Sequence, residues 1–199
     1  MNHFNEQARK WDTPEKTERC KKYAEKILEK INKKNISTIL EFGCGTGLLG
    51  SHFLSDNTSL VGIDVSQDML DVFNEKFKNK NAQSYHLNLE EHDFPKNEKF
   101  DLIVTSMAFH HLKNTENMMI KLKKLLNREG ILAIIDLDEE LGNFHPDPKN
   151  MGVHHFGFSN QTTEKWAILS KFKTYTREDI DTIKKESGDY TIFLALYFS

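Results

Sequence analysis

Residues 39–50 read Ile-Leu-Glu-Phe-Gly-Cys-Gly-Thr-Gly-Leu-Leu-Gly. An apolar run at Ile36, Ile39, Leu40 and Phe42 meets glycines at 43, 45 and 47, and a second apolar segment follows at once. That pattern asks for a strand, a tight turn and the start of a helix. Glycine suits the turn because it adopts positive φ without steric cost and lets a ligand reach bare backbone. A nucleotide-like cofactor is therefore expected on this turn.

Two kinds of cofactor fit the glycines. Gly45 to Gly50 matches G-x-G-x-x-G, and Asp64 follows Gly45 by 19 residues, as in a dinucleotide fingerprint. An NAD(P)-dependent oxidoreductase is thus one reading. Glu41 argues against it, because a carboxylate at the mouth of the turn would repel a pyrophosphate. The same carboxylate would welcome an ammonium and a sulfonium. The stretch Glu41-Phe42-Gly43-Cys44-Gly45-Thr46-Gly47 resembles the first motif of class I methyltransferases that use S-adenosyl-L-methionine.

The resemblance extends along nearly the whole chain. Leu60 to Leu70 is similar to the second strand and following helix of that family, which implies that Asp64 accepts from the ribose hydroxyls, with Val65 beside it. Charged hydrogen bonds of this kind are worth roughly 1.5–3 kcal/mol each. Ser66 is the expected helix cap, and Met69 would pack on the adenine. Tyr85 to Glu90 reads as a third strand whose end, Asn88 and Leu89, would meet the adenine edge. The family often has Asp where this chain has Asn88, so that contact loses its charge or moves to the Leu89 backbone.

Phe100 to Leu112 reads as a strand buried on both faces, followed by a loop. It resembles the fourth strand of small-molecule methyltransferases, of the ubiquinone and menaquinone type, with their His-His-Leu loop. The resemblance implies cofactor contacts at Thr105 and Ser106, and Met107 beside the acceptor. Imidazole titrates near neutrality, so His110, His111 and His155 are candidate bases, with a purely structural role as the alternative.

The pass along the chain predicts alternating elements. A helix starts at Thr13-Pro14 and runs to about 33. Strands are expected at 37–42, 59–64, 83–88, 101–106 and 131–137. Helices are expected at 47–54, 67–78, 115–128 (ended by Gly130) and 160–170. Residues 173–185 and 189–198 read as a hairpin about Ser187-Gly188, and a hairpin is antiparallel. The fold class is α/β: a Rossmann-like seven-stranded sheet, mostly parallel with an antiparallel last strand, and helices on both faces. A dinucleotide fold would instead continue in parallel.

Residues 1–199 read as one domain with two segments outside the cofactor core. Residues 1–34 form a helical lid, and its arm from Phe4 to Asp12 would fold over the cofactor with Trp11 against the acceptor. Arg19 reads as a surface arginine, with the cofactor carboxylate as its alternative partner. Residues 138–158, rich in Gly, Pro, His and Phe, should shape the acceptor site through His145, His154 and Phe156. His145, His154, His155 and Asp138 match no defined metal motif, so no metal is expected.

A net charge of −3 gives no general attraction for polyanions, so nucleic acid is not an expected partner. Lys21-Lys22, Lys33-Lys34 and the lysines at 121, 123 and 124 read as solvated helix faces. Two cysteines cannot make a disulfide framework, no apolar run suits a membrane span, and no secretory leader is apparent at the N-terminus. A cytoplasmic location follows as an expectation. The expected partners are a small-molecule methyl acceptor and, at most, a second copy of the chain. A cofactor-binding protein without catalysis is the remaining alternative.

Overall fold

A computed structural model describes residues 7–31 and 36–199. Phe4 and Lys33-Lys34 lie outside the described residues. Seven strands, β1 (Thr38–Phe42), β2 (Ser59–Asp64), β3 (Ala82–His86), β4 (Phe100–Ser106), β5 (Leu126–Leu137), β6 (Thr174–Lys185) and β7 (Gly188–Phe198), form one sheet in the order β3-β2-β1-β4-β5-β7-β6. The contacts from β3 through β5 are parallel. Strand β7 is antiparallel to both β5 and β6 and lies between them. The last strand therefore reverses direction, and β6 takes the sheet edge.

Side chains alternate across a strand, and both faces of this sheet are apolar. Ile39, Leu102, Val104 and Ile131 face a core built with Tyr23 and Ile27 of α1 (Pro14–Lys30) and Phe73 of α2 (Gln67–Lys76). Leu40, Ile103 and Leu132 face a second core built with Met118 and Leu122 of α3 (Thr115–Leu125) and Trp166 of α4 (Asn160–Leu169). A sheet covered on both sides explains why its central strands read as continuous apolar runs. Each helix is capped by a polar side chain, Thr13, Ser66, Asn114 or Ser159, accepting from a first-turn N–H. Among the described residues, no helix is long and apolar enough to cross a membrane.

Several local expectations change. The helix expected at 47–54 is a series of turns ending in a 3-10 segment, Gly50–Phe53. Gly47 has φ +76°, which no right-handed helix accommodates, and Gly50 adds a second poor helix former. The helix expected to reach 128 stops at Leu125, and the chain enters β5 directly. Gly130 is therefore not a helix stop. A Cβ there would lie 2.8 Å from the Phe100 carbonyl oxygen, so glycine lets β5 approach β4. Helices α1 and α2 also end earlier than expected, at Lys30 and Lys76.

Candidate functional site

The carboxyl ends of β1, β2 and β4 meet at the glycine turn. Gly43, Gly45 and Gly47 all have positive φ, at +65°, +51° and +76°. A Cβ on Gly43 would lie 2.6 Å from the Ala108 Cβ, so the turn after β1 touches the loop after β4. Cys44 is buried, and its N–H donates to the Ile63 carbonyl (3.0 Å). Asp64 ends β2 with Oδ2 accepting from Gly45 N–H at 2.7 Å and Oδ1 accepting from Ser66 N–H at 2.8 Å. Besides any ligand role, Asp64 thus ties β2 to the turn. A carboxylate has about four acceptor sites, so it keeps capacity beyond its backbone donors. Burial raises its pKa, and its backbone donors oppose that rise.

Glu41 differs from the sequence expectation in charge. The residue is 4% exposed, and burial pushes its carboxyl up to about 8 against donation from the Gly50 and Leu49 backbone and the nearby Lys76 charge. Its Oε2 is buried with no hydrogen-bond partner. The glycine-turn sequence offers Glu41 as a carboxylate; burial in this fold shifts it toward the neutral acid. A cation brought beside it would restore the charge.

The N-terminal arm lies on the turn. Trp11 Nε1 and Met69 Sδ would be 3.9 and 3.8 Å from a Cβ on Gly45, so the two side chains flank that glycine. Lys16 Nζ sits 3.4 Å from the centre of the Trp11 ring. Asp12 accepts from Thr46 Oγ1 at 2.5 Å and pairs with Lys76 at 2.7 Å, while Lys76 also donates to the Thr46 carbonyl (2.7 Å). Sequence reasoning missed this clamp. Its one legible signal was the acid immediately before the Thr13 cap.

Val65 is 50% exposed beside Asp64, whereas Met69 is buried. Asn88 Oδ1 accepts from Glu90 N–H (3.0 Å), which engages the acceptor atom expected at the adenine. Leu89 is buried, and its carbonyl accepts from Lys121 Nζ (2.8 Å). Thr105 is buried with an unpartnered Oγ1, and Ser106 ends β4. Met107 then adopts φ +56°, a conformation costly for a side-chain-bearing residue, while its N–H donates to Ile135 O (2.9 Å).

Beyond Met107, a 3-10 turn at Phe109–His111 presents two imidazoles. His110 Nδ1 is hydrogen-bonded to Asp136 Oδ1 at 2.6 Å, and Asp136 also accepts from the Phe109 and Leu137 N–H groups at 2.9 and 2.8 Å. His110 is 1% exposed, and its Nε2 has no hydrogen-bond partner. His111 Nδ1 contacts the Gly152 carbonyl at 3.1 Å. The His145 ring lies 4.9 Å from that of His110 and 5.7 Å from that of His111. Burial, helped by the neighbouring imidazoles, lowers His111 to about 4 and His145 to about 3.

The 138–158 segment brings some expected residues together and separates others. Backbone N–H groups of His154 and His155 donate to the His110 carbonyl (2.9 and 3.1 Å), anchoring the loop to the histidine turn. The His155 ring packs on Phe158, 5.3 Å between centroids, and burial lowers its pKa. Phe156 covers Gly142 and is half-exposed. Asp138 is held by Arg177 at 2.5 Å and is no partner of His145. Arg19 pairs with Asp181 at 3.0 Å and Glu15 at 2.8 Å, so it is committed to β6 and its own helix rather than to a cofactor carboxylate.

A family model described as a methyltransferase domain matches residues 40–132. An uncharacterized methyltransferase of Schizosaccharomyces pombe is 40% identical over 180 residues, covering 83% of this chain and 62% of that protein. The chain therefore spans less than two thirds of that relative's length. An uncharacterized methyltransferase of Bacillus cytotoxicus is 31% identical over 182 residues, covering 86% of this chain and 78% of the relative. Among solved structures, a Haloferax volcanii chain in complex with the Trm112 methyltransferase activator superposes with TM-score 0.80 at 12% identity, covering 100% and 98% of the two chains. Haemonchus contortus phosphoethanolamine N-methyltransferase 2, bound to phosphomonomethylethanolamine and S-adenosylhomocysteine, gives 0.73 at 13% identity, covering 89% and 52%. At such identities the structural likeness is one of fold.

Proposed function

The chain belongs to the class I methyltransferase family, and from that premise we propose that it transfers the methyl group of S-adenosylmethionine to a small-molecule acceptor. The observation that carries the reading is the glycine turn with the N-terminal arm on it, in a sheet whose β7 runs antiparallel between β5 and β6. A dinucleotide fold continues with parallel strands. The residues at the turn suit an adenosyl sulfonium: Gly45 is open between Trp11 and Met69, and Glu41 offers a buried oxygen without a partner. The Haemonchus structure, with S-adenosylhomocysteine bound, supports the same cofactor.

When bound, the cofactor supplies an electrophilic methyl on a positively charged sulfur. The protein's part is to hold and align. Asp64, fixed by Gly45 and Ser66, is assigned to the ribose hydroxyls, with Val65 beside it. Met69 and the Asn88-Leu89 corner are assigned to the adenine. Glu41, Thr105, Ser106 and the backbone of Gly43, Cys44, Gly45 and Gly47 are assigned to the amino-acid end. Trp11, clamped through Asp12, excludes water. Met107, His145, His154 and Phe156 are assigned to the acceptor side, where His110, His111 and His155 supply the groups that can hold or take its proton. Alignment of this kind can account for roughly 7–11 kcal/mol of a barrier.

Incubation with methyl-tritiated S-adenosylmethionine and panels of phenols, thiols, amines and carboxylic acids tests the proposal. Label in an extractable small molecule is the expected result. Label found solely in macromolecules would replace the small-molecule reading.

A further inference from the structure

We propose that His110, His111 and His145 bind a divalent first-row transition ion of the zinc type, leaving one position for an acceptor with an ionisable O–H or S–H. Each imidazole offers one ligand nitrogen, and these three atoms lie within 4.8 Å of one another. Imidazole is the common ligand of such ions, and three protein ligands with an open fourth position mark a catalytic rather than a structural site.

His110 carries the argument. Asp136, an acid inside the apolar run of β5, accepts from two backbone N–H groups and is hydrogen-bonded to His110 Nδ1. The tautomer with its proton on Nδ1, facing the Asp136 carboxyl group, leaves the lone pair on Nε2. That Nε2 is buried and has no partner. A carboxylate behind a histidine, fixing its tautomer and raising its basicity, is the arrangement that accompanies metal-bound imidazoles. His111 is oriented in the same way, through Nδ1 to the Gly152 carbonyl.

Tetrahedral coordination at about 2.0–2.1 Å places ligand nitrogens about 3.4 Å apart. The widest pair must close by about 1.4 Å relative to the 4.8 Å limit. His145 can supply that movement, since it alone of the three stands on the 138–158 segment. The 3-10 turn holding the other two follows Ala108, which abuts Gly43, so an ion here would lie near the glycine turn.

With His110 and His111 on the ion and so not acting as bases, the ion would bind the acceptor as its anion, the proton leaving to solvent. In the transfer, an acceptor O–C or S–C bond forms and the sulfonium C–S bond breaks, its electron pair remaining on a neutral thioether. This acceptor role rests on the methyl-transfer reading; binding of the ion does not.

The test uses the full chain, stripped with a chelator and titrated with Co2+ as a coloured probe. One Co2+ per chain with the visible absorption of tetrahedral cobalt, displaced by Zn2+, is expected. His145→Ala and His111→Ala should each weaken binding by at least about 100-fold, and Asp136→Asn by about 10–100-fold. His92→Ala, on an exposed loop, should change nothing. Melting of the metal-free variants checks that each is folded. Absence of the cobalt spectrum, or a spectrum that survives both His145→Ala and His111→Ala, overturns the site. S-adenosylhomocysteine affinity, measured alongside, separates the two claims: cobalt without nucleoside binding refutes methyl transfer, and the reverse refutes the metal.

Discussion

The Asp12 carboxylate lies 2.7 Å from the Lys76 ammonium, which pins the N-terminal arm to the last residue of α2 and over the glycine turn. Both side chains keep partial access to water, so Asp12→Asn should cost under about 1 kcal/mol of stability. Its effect belongs in ligand binding. If the freed arm is closed a tenth of the time, apparent affinity for S-adenosylhomocysteine falls about 10-fold. Calorimetric titration of the variant checks this; an unchanged affinity would mean that the arm takes no part in binding.

Glu41 gives a pH dependence with a defined sign. Its folded pKa, about 8, stands above its ordinary value of 4.5. Between these values the unfolded chain has released the proton while the folded chain retains it. Stability therefore falls as pH rises through that window, at up to about 1.4 kcal/mol per pH unit. Glu41→Gln should flatten the slope from pH 5 to 8 and bind S-adenosylmethionine more weakly. Denaturant melts of both proteins across that range provide the comparison, and parallel slopes would contradict the burial argument.

Gly43 and Ala108 form a pair suited to a double-mutant cycle. Gly43→Ala places a side chain at φ +65° and 2.6 Å from the Ala108 Cβ. Left-handed backbone costs about 1–2 kcal/mol and overpacking about 1–3. The melting temperature should drop by roughly 5–15 °C. Adding Ala108→Gly should recover the steric part and leave the backbone part. No recovery would show that β1 and β4 do not meet there.

Arg177 organises the loop behind the histidines. It pairs with Asp138 at 2.5 Å, donates to the Phe158 carbonyl at 2.9 Å and lies 4.1 Å over the Phe193 ring. Asp138 remains partly open to water, which limits the cost of Arg177→Met to about 1–3 kcal/mol. The sharper consequence is local: limited proteolysis should cut residues 138–158 faster in the variant than in the parent chain.

The sheet was legible because its strands carry local signals. β1 announces itself by an apolar run ending in glycines, and β7 by the hairpin after β6, which already implied the reversal of direction. The turn residues Gly43, Gly45 and Gly47 were legible for the same reason, since positive φ has few alternatives to glycine. What escaped was non-local. Asp136 sits inside 131–137 and reads as a flaw in an apolar strand until His110, 26 positions earlier, is seen hydrogen-bonded to it. His145 joins His110 and His111 only when the chain returns from β5, so linear spacing grouped it with His154, His155 and Asp138 instead. The helix expected at 47–54 failed on the rule that identified the turn: a glycine at φ +76° cannot also begin a right-handed helix.

Calorimetric titration of the purified full chain with S-adenosylmethionine, and separately with NADH and NADPH, tests the central claim most directly. The account predicts saturable 1:1 binding of the sulfonium, weakened by Asp64→Asn and Glu41→Gln, and no saturable heat from either nicotinamide. Saturable binding of NADH or NADPH without binding of S-adenosylmethionine would contradict it.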